Sequence, residues 1–114
     1  SPWQTAVDVI ADQSQKCVIS KSTYEAGLFP EKGTFVIKDK RNMYSGAVKD
    51  GKFIELKTLD NHIPLFKATE QIHSCEQDLF PVVKSDNLIG IITYQVIVDF
   101  LKSNIRLENG VVHS

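Results

Sequence analysis

The residues best placed to do chemistry in this 114-residue chain are Gly90 and Thr93, three positions apart, and two lysines in the turn Lys49-Asp50-Gly51-Lys52. A glycine inside an apolar strand pattern has no Cβ, so another backbone, a helix or a ligand can approach it closely. A threonine directly after such a strand caps the next helix, its hydroxyl accepting from the first unpaired N–H groups. The same hydroxyl and helix end can hold a phosphate. Lys49 and Lys52 could also meet phosphates, although lysines in a turn of this composition read first as a solvated loop. Catalysis finds no comparable anchor. His62, His73 and His113 fit no H-E-x-x-H pattern, no zinc spacing and no acidic calcium loop. There is no G-x-S-x-G and no phosphate-cradling glycine loop, and Glu70 and Glu76 are linked by nothing but spacing. The expectation is a protein that is not an enzyme, with no required cofactor and no metal.

Composition narrows the partners. The apolar fraction of 42% and charged fraction of 24% suit one compact globular domain. A net charge of -1 gives no bulk field to draw nucleic acid or an anionic membrane. No apolar run reaches the roughly 20 residues of a membrane helix, so direct membrane insertion of this segment is not expected. Cys17 and Cys75 lack metal-type spacing and read as two buried thiols in a reducing, cytoplasmic setting, with a disulfide as the alternative. The opening Ser1-Pro2-Trp3 has no Met, which suits a segment cut from a larger polypeptide.

The elements that would position Gly90 and Thr93 are clear. Leu79-Phe80-Pro81-Val82-Val83-Lys84 reads as a buried strand, Ser85-Asp86-Asn87 as a turn whose short polar side chains bond their own backbone and whose Asn tolerates a left-handed conformation, and Leu88 to Ile92 as the return strand. Val96, Ile97, Phe100 and Leu101 then recur at helical spacing. Upstream, Pro64 suits a first helical turn, and Leu65, Ala68, Ile72 and Cys75 form a second stripe. A strand is expected near Phe53 to Leu56. The first half repeats the hairpin: Thr34 to Lys38, a polar turn, and Met43 to Val48. Aligning Phe35-Val36-Ile37-Lys38 with Pro81-Val82-Val83-Lys84, and Gly46 with Gly90, gives a period of 44 to 46 residues. Around this hairpin the first copy looks trimmed. Thr23 to Phe29 leave room for about two helical turns before Pro30, and Lys49 to Lys52 stand where a closing helix belongs.

Leu79-Phe80-Pro81-Val82-Val83, the turn, Leu88-Ile89-Gly90-Ile91-Ile92-Thr93 and the helix after it closely resemble the hairpin and final helix of a cystathionine-β-synthase (CBS) repeat. Ile63 to Ala68 resemble that family's first helix, and Val7 to Ile10 before Cys17-Val18-Ile19-Ser20 resemble its entry segment. The resemblance implies an α+β fold of two βαββα repeats related by a pseudo-two-fold axis. The first repeat (1–56) is degenerate with shortened helices, and the second (57–114) ends in a tail that reads as a frayed chain end. It further implies a regulatory module of a larger host that dimerises and binds adenine nucleotides in clefts between repeats.

The family's nucleotide signature is a return-strand glycine, a Ser/Thr and, three residues later, an Asp that holds the ribose. In the second repeat Gly90 and Thr93 match but the acid position is Val96; in the first Gly46 matches and the other positions are Lys49 and Lys52. Losing a hydrogen bond to a charged partner costs about 1.5–3 kcal/mol, so AMP, ADP or ATP is expected to bind weakly. The candidate ligand residues are Lys49, Lys52, Leu79, Phe80, Pro81, Gly90 and Thr93. Ile97, Phe100 and Leu101, with Val98 and the tail residues Ile105, Leu107, Val111 and Val112, offer more apolar surface than one small repeat needs. Ile97, Phe100 and Leu101 are therefore the candidate homodimer interface. By family analogy the host is a membrane transporter of chloride-channel type. The alternatives are a metabolic enzyme's regulatory domain, a stand-alone adenosine sensor, or a purely structural dimerisation module without ligand.

Overall fold

The structure, a computed structural model, describes residues 1–104 except residue 15, and the backbone of residues 106–108 and 111–113. A turn of 3₁₀ helix at Pro2–Gln4 and α1 (Val7–Ile10) precede β1 (Val18–Ser20), α2 (Lys21–Glu25), β2 (Thr34–Asp39), β3 (Met43–Lys49) and β4 (Lys52–Ile54). The second half runs β5 (Leu59–Asp60), α3 (Leu65–His73), β6 (Leu79–Lys84), β7 (Asn87–Thr93) and α4 (Tyr94–Asn104). Last come β8 (Arg106–Glu108) and β9 (Val111–His113), which pair antiparallel apart from the main sheet, where a frayed end was expected. The tail side chains of Ile105, Leu107, Val111 and Val112 lie outside the described residues.

The expected internal repeat is present. In each half a short strand runs parallel to the first hairpin strand, β1 on β2 and β5 on β6. Each hairpin carries a bulge at the same place. Ile37 pairs with Gly46 and Val82 with Gly90, and both ladders then skip one residue. The two hairpins join at one pair, Met43 opposite Asn87, which are themselves equivalent positions. That self-equivalent pair lies on the pseudo-two-fold axis. The strand order β1-β2-β3-β7-β6-β5 is therefore a palindrome of the two copies.

The ladders correct the sequence alignment by one residue. Phe35 corresponds to Phe80 and Ile37 to Val82, not Phe35 to Pro81. In a strand a one-residue shift exchanges the faces, and the observed register sends both phenylalanines to the helix-covered side. There Phe80, Val82 and Ile92 join Val7, Leu59, Leu65, Ala68 and Ile97 in the main core. Phe35, Ile37 and Val48 pack with Ile19, Tyr24 and Phe29 under α2. The opposite faces meet each other: Val36 of one repeat lies against Leu79 and Ile91 of the other, with Cys17, Val18, Tyr44, Leu56 and Leu88 around them.

The first copy is shorter than expected. Its α2 has five residues rather than two full turns, capped by Ser20, whose Oγ accepts from the Thr23 amide at 3.2 Å. An aromatic trio of Tyr24, Phe29 and Phe35, with ring centroids 4.9–6.2 Å apart, supplies the cover that a longer helix would have given. No closing helix follows β3. Asp50 and Gly51, at φ 51° and 78°, turn the chain into β4, which pairs back on β3. The strand expected near Phe53 completes the first copy, because a two-residue turn with both φ positive favours an antiparallel return. The left-handed residues of the other hairpin are Ser85 and Asp86, while Asn87 is already in the strand.

Residues before β1 pack on the second half. Val7 donates its amide to Ile63 O at 3.0 Å and Asp8 to Asn61 O at 3.2 Å. Ile97, at 5% exposure, is filled into the chain's own core and has little surface to offer a partner, whereas Phe100 and Leu101 are half-buried at its edge. Cys17 and Cys75 are half-buried, unpaired and in different clusters.

Tyr44 gives the layer between the repeats a pH signature. Burial, and then the Glu55 carboxylate, raise its phenol above the ordinary value. A raised folded-state pKa contributes stability that is complete below the unfolded value of about 10 and is lost as pH rises through the folded value. Thermal melts from about pH 9 to 11 should therefore fall more steeply for the native chain than for Tyr44→Phe. Parallel slopes would contradict this placement.

Candidate functional site

The signature residues of the second repeat occupy the end of β7 and the start of α4. Thr93 pairs with Leu79 across the hairpin and caps α4, its Oγ1 accepting from the Val96 amide at 3.2 Å. The hydroxyl is thereby engaged in the helix start, as expected of an N-cap. Val96 stands at the acid position and packs against the main core. Leu79, Phe80 and Pro81 are all buried in their strand.

Gly90 is buried because the chain's own N-terminal segment lies over it. Asp12 and Ile91 exchange both backbone hydrogen bonds, at 2.8 and 3.0 Å. A Cβ at Gly90 would stand 2.8 Å from Ala11 Cβ and 3.0 Å from the Asp12 carbonyl oxygen. The segment is fixed one step further on, where the Ser14 amide donates to Asp12 Oδ1 at 2.8 Å. That bond and the Ser14 side chain hold the Asp12 carboxyl below its usual pKa.

The equivalent Gly46, at φ 142°, is covered differently. The ring of Phe53, one strand away on β4, lies over the glycine so that a Cβ there would overlap it. An aromatic leaning on a neighbouring strand's glycine fills the gap its missing side chain leaves. Both places where the sequence predicted close approach by a backbone, a helix or a ligand are therefore taken by residues of the chain itself. The structure does not gather the other candidates around them. Lys49 and Lys52 face each other as an exposed cross-strand pair at the β3–β4 turn, in the first copy.

A hollow of about 580 Å³ lies beside Phe80, between the segment Glu55–Thr58 and the end of α3 at Gln71, Ser74 and Cys75. Lys57, in its wall, is tied down by Gln77, which sequence reasoning missed. Gln77 Oε1 accepts from the Lys57 amide at 3.2 Å, and its Nε2 donates to Lys57 O at 2.8 Å and Leu79 O at 3.0 Å. One side-chain amide thus replaces a missing strand between Lys57 and Leu79. A lone glutamine between Glu76 and Asp78 carries no signal of that role. Among the described residues no group of His, Cys, Asp and Glu is arranged to hold a metal, and no helix is long and apolar enough to cross a membrane.

The geometry defines a class before any comparison: a tandem α+β repeat whose two hairpins share a pseudo-two-fold axis. No family model and no curated protein matches the sequence. Solved structures do. A CBS pair domain of a protein assigned as a Mg²⁺ transporter in Shewanella oneidensis MR-1 matches with a TM-score of 0.58 at 17% identity, over 82% of this chain and 68% of that one. A CBS domain pair solved with 5′-methylthioadenosine and S-adenosyl-L-methionine matches at 0.61 and 13%, over 88% and 98%. CbpB in complex with c-di-AMP matches at 0.63 and 12%, over 89% and 87%. The chain has the fold of a CBS domain pair.

The cover over Gly90 has a measurable consequence. Gly90→Ala should destabilise the fold by about 1–3 kcal/mol, the usual range for overpacking. It should also speed hydrogen exchange of the Ile91 amide, which donates to Asp12 O. Unchanged stability and exchange would mean that residues 11 and 12 do not sit there.

Proposed function

We propose that this chain is a non-catalytic regulatory module of a larger polypeptide, acting through the contacts it makes rather than through tight binding of an adenine nucleotide. The observation carrying this reading is the occupancy of both return-strand glycines, Gly46 by Phe53 and Gly90 by Ala11 and Asp12. Substitution of the ribose-holding acids by Val96 and Lys52 supports it from the sequence side. Fold relatives solved with S-adenosyl-L-methionine and with c-di-AMP keep adenine ligands the right class to test, and the hollow beside Phe80 is where a weak one would enter. The cytosolic side of a membrane transporter is the favoured host setting, chloride-channel type by analogy; the likeness to a CBS pair of a transporter fits that class of host.

The module acts as a homodimer in this reading. Its contact face comprises the parts of α4 that the core leaves uncovered, with Phe100 and Leu101 half-buried at the core's edge and Tyr94 71% exposed, and Val9 of α1 beside Phe100. Sedimentation at high micromolar concentration should give twice the 12.8 kDa chain mass. A single-chain mass would remove the dimer from the account.

Thermal melts with AMP, ADP, ATP or S-adenosylmethionine at about 1 mM should show little or no shift, whereas a ligand at 100 times its dissociation constant adds about 2.7 kcal/mol. A shift of several degrees with any of the four would overturn regulation by contact alone.

A further inference from the structure

The first repeat carries a second hollow that lies away from both glycines. It has a volume of about 670 Å³ and is bounded by the end of β1, the first turn of α2 and the β2–β3 turn. Lys21, Lys38, Lys40 and Arg41 line it against Glu25 and Asp39. This is a local cationic excess on a chain whose net charge is -1. Asp39 is engaged by Lys21, with Nζ 3.4 Å from Oδ2. Among the described residues Lys38, Lys40 and Arg41 make no ion pair.

The internal symmetry supplies a stand-in for what belongs there. Ile19 pairs with Ile37 and Leu59 with Val82, and Ile37 and Val82 are equivalent, so Ser20, Lys21 and Ser22 correspond to Asp60, Asn61 and His62. In the second repeat that position is filled. The short helix α1 docks there, and the Asp8 carboxylate lies against its two side chains: Asn61 Nδ2 donates to Oδ2 at 3.5 Å, and His62 Nε2 stands 3.9 Å from the same oxygen. The Asp8 amide also donates to Asn61 O. A peptide carboxylate is thus what this corner of the fold accommodates when it is occupied. The first repeat sets three lysines and an arginine at the same corner, with no segment of the described chain in it.

We infer that this hollow is a docking site for an acidic peptide segment of a partner protein, whose carboxylates meet Lys38, Lys40 and Arg41. The inference does not depend on how the glycine clefts are used.

The test is a titration of the isotope-labelled full chain with an acetylated, amidated tetra-aspartate peptide, followed by amide NMR at low salt. Shifts should concentrate at residues 20–22 and 38–41 and weaken as salt rises, since the Debye length shrinks from about 30 Å at 0.01 M to about 8 Å at 0.15 M. The double reversal Lys38→Glu with Arg41→Glu should weaken binding about tenfold or more, because like charges across an interface repel strongly. Asp39→Asn, which frees Lys21 from its resident acid, should tighten it. Lys40→Gly serves as the folding control: it relieves a left-handed residue, so the melting temperature should hold or rise while binding weakens. Absence of shifts, shifts equal at the Lys49–Lys52 turn, or indifference to the double reversal would overturn the site. Inorganic phosphate binding as tightly as the peptide would overturn the peptide assignment in favour of a small anion.

Discussion

The fold depends on one apolar layer, where Val36 of the first repeat meets Leu79 and Ile91 of the second. Each repeat is too small to bury both faces of its hairpin alone. A strand sends alternate side chains to opposite faces, so every residue given to the helix-covered side leaves its neighbour on the other. Phe35 and Ile37 go under α2, which leaves Val36; Phe80 and Val82 go under α3 and α4, with Leu79 on the inner side. The inner faces can find cover only in each other. The Met43–Asn87 pair fixes the hinge between them, and the matching bulges keep both registers the same.

Once the repeats are clamped this way, the chain's remaining pieces become cover for what the pairing leaves open. The first copy has lost its closing helix and spends β4 instead, whose Phe53 closes over Gly46. The second has gained the N-terminal segment, which brings Val7 into the main core and lays Ala11 and Asp12 over Gly90. Positions that permit close approach have been used for intramolecular packing. The same asymmetry explains why one repeat's corner holds the Asp8 carboxylate while the other presents Lys38, Lys40 and Arg41 to solvent.

Much of this was legible in the sequence, and for physical reasons. Strong apolar strands with a polar turn between them, and a threonine cap before a helical stripe, depend on local chemistry, so the second-half hairpin and α4 were read with nearly their true bounds. Gly46 and Gly90 were matched because a glycine within an apolar strand stands out. The misses came from contacts distant in sequence. Phe35 was aligned with Pro81 because Val-Ile-Lys resembles Val-Val-Lys, and only the paired ladders show that Phe80 is its counterpart. Phe53 over Gly46, the Asp12–Ile91 pair and Gln77 as a substitute strand all join segments whose local sequence says nothing of the partner. Lys49 and Lys52 were grouped with Gly90 and Thr93 by family pattern, whereas the fold keeps them at a turn of the other repeat. Ile97 was read as interface because helical periodicity marks an apolar face without saying whether another chain or the protein's own sheet covers it.

The most direct test of the shared layer is native-state hydrogen exchange on Ile91→Ala, a truncation in the second repeat at the face that meets the first. If the layer joins the two repeats into one cooperative unit, the slow amides of Phe35–Ile37 and those of Phe80 and Val82 should lose protection together. The common loss should be about 2–5 kcal/mol, the usual cost of such a truncation in a core. Protection lost at Phe80 and Val82 alone, with Phe35–Ile37 unchanged, would contradict the account.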